Sequence, residues 1–371
     1  MAVPFIDLKR FEPGFMDRWM EKVRHVTENT MFVGGPVVAD LEKRLAEVTG
    51  APAAVGCANG TDALQLALRV AGVGPGDRVL IPDATFWATF EAVVNVGAKP
   101  VTVDIDMTDL QMDFDLFRKA VDEYAPKAVL LVHLYGWCTA RLDDFREFCA
   151  ARRIPLIEDG AQCFGVTWKG RAIYADAWMA TTSFYPAKVF GSCGDAGAVF
   201  CSSKELADRT RLHGNHGRVT HYLHGVIGWN SRMAGLDAAW LDLCLDYFDA
   251  RMASRVEAAA RYREAFARMG NVKYVAPPEG CGENGYLVAT LMDPARRPAI
   301  EAKLKEQGIG FGNTYPSAMS EQPGARGWSA GHVGGDNARV LGKSILNPPL
   351  FAYITPAEQD EVVAALKAAM A

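Results

Sequence analysis

The sequence lacks the features that define several classes of protein. Its eight cysteines are scattered over 371 residues without a CxxC pair or a compact framework, so we expect reduced, mostly buried thiols. No apolar stretch approaches the roughly 20 residues of a membrane span. The first residues lack the basic flank and apolar core of a signal peptide. We therefore expect a soluble, cytoplasmic protein with no membrane partner.

An excess of positive charge is also missing. The chain has 39 Lys and Arg against 44 Asp and Glu, for a net charge of −5, which predicts no nucleic-acid partner. Any anionic ligand must be bound by a local site. The length exceeds the roughly 250–300 residues at which a single core stops growing. Half of the residues are hydrophobic, so we expect a folded protein with two subdomains.

Helical and strand-like patterns alternate through the first two thirds of the chain. Strand-like runs such as GDRVLIP, KPVTVDID, KAVLLVHLYG and IPLIEDG, and the short strand in AAVGCANG that ends in a turn, are separated by segments with helical spacing of apolar residues. This predicts an α/β fold with a mostly parallel central sheet flanked by helices. After a long helical stretch the pattern changes, which predicts a large domain over residues 1–250 and a small α+β domain over 251–371.

Two ionisable residues stand out by their surroundings. Asp159 follows the apolar run IPLI, and Lys188 lies 29 residues later in the glycine-rich segment SFYPAKVFGSCGDAGAVF. A lysine amine can form a Schiff base with the aldehyde of pyridoxal 5'-phosphate (PLP), and a buried carboxylate can hold the pyridine nitrogen protonated. Asp159 could instead cap the next helix. The pair indicates a PLP-dependent enzyme.

Further residues near these two fit a cofactor site. The segment ANGTDALQLAL predicts a helix that begins at a strand end, where Gly60 and Thr61 could bind phosphate and Asp62 could cap the helix. Ser183 could also reach the phosphate. Gln162 could bond the phenolic oxygen of the cofactor, and Trp87 could stack on its ring, although for Trp87 taken alone core packing is the favoured interpretation.

Four histidines cluster in the segment LHGNHGRVTHYLHG. A metal site is one interpretation of their spacing, but no carboxylate or cysteine accompanies them, so we expect no metal. The alternative is a mobile loop near the substrate, in which Arg218 would contact a phosphate.

Ordered motifs along nearly the whole chain resemble the DegT/DnrJ/EryC1/StrS family of PLP-dependent sugar aminotransferases. The resemblance is carried by VPFIDLKR, FVGGPVVADLEKRLAE, ANGTDALQLAL, GVGPGDRVLIPDATFWAT, GAKPVTVDID, VHLYG, IEDGAQCFG, SFYPAKVFGSCGDAGAVF and GWNSRMAGLDAAWL. It implies the aspartate aminotransferase fold, fold type I of the PLP-dependent transferases. One departure is GDAGA where many relatives have DGGA.

The resemblance also implies roles for matching residues. Lys188 would form the internal aldimine and then act as the general acid and base. Asp159 would pair with the pyridinium nitrogen. The remaining cofactor contacts would be Gly60, Thr61, Trp87, Gln162, Ser183 and, from a partner subunit, Asn230. Substrate contacts would be Tyr185, Arg218 and Tyr315.

Finally, the resemblance implies a homodimer with shared active sites. L-glutamate would donate its amino group to the cofactor, and a keto group at C3 or C4 of a nucleotide-linked deoxysugar would then receive it, in a ping-pong reaction of amino-sugar biosynthesis. An aminocyclitol aminotransferase stays open as an alternative, although Gln162 favours nucleotide sugars. A non-catalytic PLP-binding sensor is a second alternative. Such regulators usually carry a DNA-binding module, and we find no basic helix-turn-helix pattern in this sequence.

Overall fold

The computed structural model describes residues 2–371. Its α-helices are amphipathic or buried segments with few interior breakers, and several begin at a residue whose side chain caps the first turn. They are α1 (Phe15–Glu28), α2 (Pro36–Thr49), α3 (Gly60–Val70), α4 (Trp87–Asn95), α5 (Phe114–Tyr124), α6 (Leu142–Arg152), α7 (Lys204–Gly214), α8 (Gly235–Leu245), α9 (Phe248–Met269), α10 (Arg297–Glu306), α11 (Asn337–Ser344) and α12 (Pro356–Met370).

The strands are short, and those of the main sheet are rich in Val, Leu, Ile and Ala. They are β1 (Ala53–Cys57), β2 (Arg78–Pro82), β3 (Lys99–Val103), β4 (Ala128–Val132), β5 (Leu156–Asp159), β6 (Thr167–Trp168), β7 (Arg171–Ala172), β8 (Met179–Ser183), β9 (Gly197–Cys201), β10 (Arg218–Thr220), β11 (Leu223–His224), β12 (Lys273–Val275), β13 (Cys281–Gly282), β14 (Ala289–Leu291), β15 (Gly331–Val333) and β16 (Ile345–Leu346).

Eight strands form one sheet in the order β1-β9-β8-β5-β4-β2-β3-β15. Neighbouring strands from β8 through β15 run parallel, and β9 is antiparallel to both β8 and β1. Apolar side chains on both faces are buried under the helices, as expected for a parallel sheet. The prediction of a mostly parallel sheet flanked by helices is confirmed.

Register brings the ends of three neighbouring strands together. Val132 at the end of β4 is opposite Asp159 at the end of β5, and Asp159 is opposite Thr181 in β8. Because ligands of open α/β sheets bind beyond the carboxyl ends of the strands, this edge is where the site is expected.

A three-stranded sheet, β12-β14-β16, forms the centre of the small C-terminal unit, and its core includes Tyr262, Phe266 and Leu366. The domain boundary expected after residue 250 falls within the first turn of α9. The C-terminal third also returns to the large sheet, because β15 pairs in parallel with β3.

All eight cysteines are free thiols, and six of them are buried. Within residues 2–371 no helix is both long enough and apolar enough to span a membrane.

Candidate active site

A cavity of about 630 Å³ opens at the carboxyl ends of β4, β5 and β8. Most of the site residues expected from the sequence line it, and they come from separate loops of the large domain and from the C-terminal third. They are Gly60, Thr61, Asp159, Gln162, Ser183, Tyr185, Lys188 and Tyr315.

The first turn of α3 forms one end of the cavity. Asn59 caps the helix, because its side chain accepts a hydrogen bond from the Asp62 amide at 2.8 Å; the expected cap, Asp62, lies in the first turn instead. A Cβ on Gly60 would lie 2.6 Å from the Cβ of Ser183. The free amides of a helix N-terminus, beside a serine hydroxyl and with no side chain at position 60, suit a phosphate group.

Asp159 is buried at the end of β5. Its Oδ1 accepts a hydrogen bond from the Ala161 amide at 3.0 Å, and a turn rather than a helix follows it. Burial raises the pKa of Asp159, while the Ala161 amide and the charges of Lys188 and His133 oppose that rise. A positively charged ligand atom at this position would stabilise the carboxylate further.

Lys188 lies in the loop between β8 and β9. Its amide donates to the Tyr185 carbonyl at 2.8 Å, and its Nζ lies 5.4 Å from the centre of the Tyr286 ring. Within residues 2–371 no carboxylate forms an ion pair with Lys188. The side chain of Ser192, in the same loop, donates to Asp237 at 2.8 Å, which anchors the loop to α8.

Gln162 is fixed at both ends of its amide. Its Oε1 accepts from the Tyr135 amide at 2.6 Å, and its Nε2 donates to the Tyr315 hydroxyl at 2.7 Å. Burial raises the pKa of Tyr315, so this hydroxyl stays protonated. The carbonyl of Gln162 also accepts from the side chain of Asn284 at 2.9 Å. The C-terminal third thus helps to orient the turn after Asp159.

Two neighbouring aromatic residues at the start of α4 have different positions. Trp87 lies outside the cavity, where its ring stacks on Phe90 at 4.9 Å between centroids. Phe86 lines the cavity, is 58% exposed, and its ring centre lies 6.0 Å from that of Tyr315. Trp87 therefore packs against the core, and Phe86 is the one of the two that lines the cavity.

Asn230 and Arg218 also lie away from the cavity of their own chain. Arg218 begins the β10–β11 hairpin, and both residues are exposed. The same segment exposes Tyr222 and Ile227, at 87% and 86%. Within residues 2–371 no group of three or more His, Cys, Asp or Glu side chains is placed to hold a metal ion.

Among the cavity residues that the sequence analysis missed are three with a ring side chain: Phe86, His133 and Tyr286. His133 directly follows the apolar strand β4, much as Asp159 ends the apolar strand β5. This position at a strand end could have identified His133 as a cavity residue from the sequence. Nothing in the local sequence of Tyr286 places it near Lys188, since the two meet only through the tertiary fold.

One cavity at the edge of a mixed sheet of this order is lined by a lysine, a buried aspartate and a helix N-terminus. This combination is typical of a PLP-dependent enzyme of fold type I. The comparisons agree. The chain matches the DegT/DnrJ/EryC1/StrS aminotransferase family over residues 16–367, and it belongs to that family.

Three proteins illustrate the similarity. The chain is 36% identical to UDP-2-acetamido-2-deoxy-3-oxo-D-glucuronate aminotransferase from Pseudomonas aeruginosa, covering 98% of this chain and 99% of the relative. It is 31% identical to DesV from S. venezuelae, solved with a ketimine intermediate, with a TM-score of 0.93 and coverage of 99% and 98%. It is 27% identical to NtdA from Bacillus subtilis, solved with PMP, with a TM-score of 0.91 and coverage of 99% and 85%.

The protein is thus a PLP-dependent sugar aminotransferase with the aspartate aminotransferase fold. Its residues fit the cofactor on their own chemistry. The approach of Ser183 to Gly60 leaves no space for a side chain at position 60, and Asp159 is a buried carboxylate whose ionisation calls for a nearby cation.

Proposed function

We propose that this protein transfers an amino group from L-glutamate to the C3 or C4 keto group of a nucleotide-linked sugar, using PLP held by the cavity at the carboxyl edge of the large sheet. The observation that carries the proposal is that Lys188, Asp159 and the N-terminus of α3 line one cavity. They belong to a loop, a strand end and a helix start that are far apart in the sequence, and each provides a group that PLP chemistry requires.

Different residues of the cavity would bind different parts of the cofactor. The amides of Gly60 and Thr61 and the hydroxyl of Ser183 would bind the phosphate. Asp159 would hold a proton on the ring nitrogen. Gln162, whose amide is already oriented by Tyr135 and Tyr315, would face the phenolic oxygen. Bound there, PLP supplies an electron sink for the bond broken at the amino carbon.

Phe86 takes the place first expected for Trp87. It is exposed to the cavity, whereas Trp87 packs on Phe90. An aromatic ring parallel to the cofactor ring would exclude water from that face and fix the tilt of the cofactor. We therefore assign the ring-covering role to Phe86.

Lys188 would attach the cofactor and then move the proton. With the cofactor bound, the Nζ amine could take the proton from the amino carbon of the substrate and return it to the carbon of the cofactor on the other side of the shared nitrogen. Its Nζ lies 5.4 Å from the centre of the Tyr286 ring, and both residues line the cavity.

The acceptor assignment is supported by the relatives, since the Pseudomonas aeruginosa protein is named for a UDP-linked 3-oxo sugar.

The charge of the cavity indicates which groups are still needed to bind the two substrates. Its described lining contains four carboxylates, Asp62, Glu91, Asp159 and Asp195, but no arginine. A nucleotide diphosphate and glutamate are both anionic, so further cations are needed.

A second copy of the chain is the natural source of those cations. The exposed β10–β11 hairpin carries Arg218 and exposes large apolar side chains, which are unfavourable in water. We infer a homodimer in which Arg218 and Asn230 of each protomer complete the cavity of the other, with Tyr185 and Tyr315 as further substrate contacts.

The visible absorption spectrum of the purified protein tests the function. A band from bound PLP that disappears when L-glutamate is added, and that is absent in Lys188→Ala, is the expected result. Mass spectrometry with 3-keto and 4-keto sugars linked to different nucleotides would then identify the acceptor. If PLP-supplied protein shows no such band, or Lys188→Arg keeps full activity, the proposal is wrong.

A further inference from the structure

Two cysteine thiols lie in contact beside the active-site cavity, and the assignments above do not use them. Sγ of Cys138 donates a hydrogen bond to Sγ of Cys281 at 3.6 Å. Cys138 is buried in the loop between β4 and α6, and Cys281, which begins β13, is partly exposed. Within residues 2–371 they are the one pair of cysteines joined in this way. The sulfur atoms of a disulfide lie about 2 Å apart, so a small movement would bring these two to bonding distance.

The surroundings of the two thiols differ. The hydrogen bond from Cys138 lowers the pKa of Cys281, while donating that bond and burial both raise the pKa of Cys138. Cys281 is therefore the thiol that ionises first, and it is also the one that solvent reaches. The thiolate is the reactive form of cysteine. A partly exposed thiolate beside a second, protonated thiol is typical of cysteines that peroxides oxidise reversibly.

A third thiol, that of Cys163, lies in the same part of the core. Its Sγ donates to the carbonyl oxygens of His133 and Trp137, at 3.4 Å in each case. Its side chain is fully buried, and burial raises its pKa. We therefore expect Cys138 rather than Cys163 to react with Cys281.

The pair connects two segments of the cavity wall, residues 135–138 and residues 281–287. The first contains Tyr135, whose amide donates to the side chain of Gln162. The second contains Tyr286, which lines the cavity. A bond between the two sulfurs would therefore link the large domain to the C-terminal third of the chain at the wall of the cavity.

Little free space separates these two segments. The Asn284 amide donates to the Gly136 carbonyl at 3.2 Å, and the Leu287 amide donates to the Tyr135 carbonyl at 3.3 Å. A Cβ on Gly136 would lie 2.3 Å from Oδ1 of Asn284. Disulfide formation shortens the distance between the sulfurs by about 1.5 Å, and it does so where the surrounding groups are already in contact. We therefore expect the cross-linked protein to have a cavity of altered shape.

We propose that Cys138 and Cys281 are a redox-sensitive pair: hydrogen peroxide converts them into a reversible disulfide, and this bond lowers the transaminase activity. The thiolate of Cys281 attacks one oxygen of the peroxide, the O–O bond breaks, and the departing hydroxide takes the proton that Cys281 has released, which leaves a sulfenic acid. Sγ of Cys138 then attacks the sulfenic sulfur, the S–O bond breaks, and the hydroxide that leaves takes the proton of Cys138. The two sulfurs lose two electrons to the peroxide, and two molecules of water are formed.

Treatment of the holoenzyme with hydrogen peroxide tests the bond itself, which does not depend on the proposed function. After free thiols have been alkylated, mass spectrometry of a digest should show the peptides of Cys138 and Cys281 joined, with two hydrogens lost. A phosphine reductant should separate them again, because it takes up the oxygen of water and the sulfurs take up the two hydrogens. A digest without joined peptides, or a bond between Cys281 and Cys163, would overturn the proposal.

The change in activity rests on the proposed function, and the rate at which L-glutamate converts the bound PLP, followed by visible absorption, measures it. We expect peroxide to lower this rate about tenfold in the wild type, because a displacement of about 1 Å at an active site can cost up to about a hundredfold. The phosphine should restore the rate. Cys281→Ser should begin at nearly the wild-type rate and keep it in peroxide, and Cys138→Ala should behave in the same way.

Cys193→Ser is the matched control. Cys193 is exposed, and its Sγ contacts the carboxylate of Asp237 rather than a second thiol, so this variant should stay as sensitive to peroxide as the wild type. Equal losses of activity in the wild type and Cys281→Ser would place the sensitivity at another residue and overturn the proposal, as would full activity of the cross-linked protein. Reduced wild-type protein that does not respond to L-glutamate contradicts the proposed function instead, and the peptides then decide the disulfide alone.

Discussion

Gly60 and Ser183 approach so closely that a Cβ on the glycine would lie 2.6 Å from the Cβ of the serine. Both atoms are held by backbone, one at the start of α3 and the other at the end of β8, so neither can move away at low cost. The contact joins the helix terminus to the strand that leads to Lys188, and the first prediction concerns it.

Gly60→Ala should weaken PLP binding by about tenfold or more, because overpacking of this kind typically costs about 1–3 kcal/mol and displaces the phosphate contacts. Gly74→Ala is the matched control, since a Cβ there meets nothing within 4 Å. Titration of both proteins with PLP measures the effect. Equal affinities would show that this end of the cavity does not bind the phosphate.

Phe86→Ala should mainly affect PLP binding, whereas Trp87→Ala should mainly affect the stability of the fold. Phe86 is exposed to the cavity, so its loss should weaken PLP binding and leave the urea midpoint nearly unchanged. Trp87 packs on Phe90, so its loss should lower the free energy of unfolding by roughly 2 kcal/mol, less than the 3–5 kcal/mol of a fully buried aromatic residue. Urea unfolding and PLP titration distinguish the two. Weaker PLP binding in Trp87→Ala alone would restore the original assignment.

Asp159→Asn should abolish transamination and yet stabilise the protein without PLP. Burial raises the pKa of Asp159 in the folded state, so the folded protein holds this proton more tightly than the unfolded chain does. The ionised form therefore costs stability as pH rises above the unfolded pKa, and the cost fades at acidic pH. Thermal unfolding at several pH values checks this. A variant less stable than wild type at neutral pH would contradict it.

Subunit complementation tests the shared site. Lys188→Ala and Arg218→Glu should each be nearly inactive, but equal mixtures, unfolded and refolded together, should regain about a quarter of wild-type activity, since half of the dimers are mixed and each mixed dimer has one intact site of two. The activity of each variant refolded alone is the control. Mixed dimers that form without recovery would place Arg218 in the site of its own chain.

The sequence was sufficient to predict the sheet and the pair of residues at its edge. Apolar runs of strand length were correctly located at β1 to β5, and Asp159 and Lys188 were recognised because a charged residue beside an apolar or glycine-rich run is unusual. That Phe86 lines the cavity while Trp87 packs on Phe90 was not predictable by the same means, since the direction of two adjacent side chains at a helix start depends on what packs against the helix.

Contacts that depend on strand pairing, or that join the large sheet to the C-terminal third, could not be predicted from the sequence for a different reason. His133 and Glu158 are adjacent only because β4 and β5 pair as they do. The contacts from Asn284 and Tyr315 to Gln162 span more than a hundred residues of chain. A local sequence pattern cannot indicate contacts between residues that lie so far apart in the chain.

Those long contacts have a consequence for dissection of the protein. Asn284 bonds the carbonyls of Gln162 and Phe164, Tyr315 bonds the side chain of Gln162, and β15 completes the edge of the large sheet. A fragment ending near residue 250 would contain Lys188 and Asp159 but would lack these supports. The residues that line the cavity and the contacts that orient them are encoded in widely separated segments of the gene, so the N-terminal segment alone is not expected to work as a transplanted module.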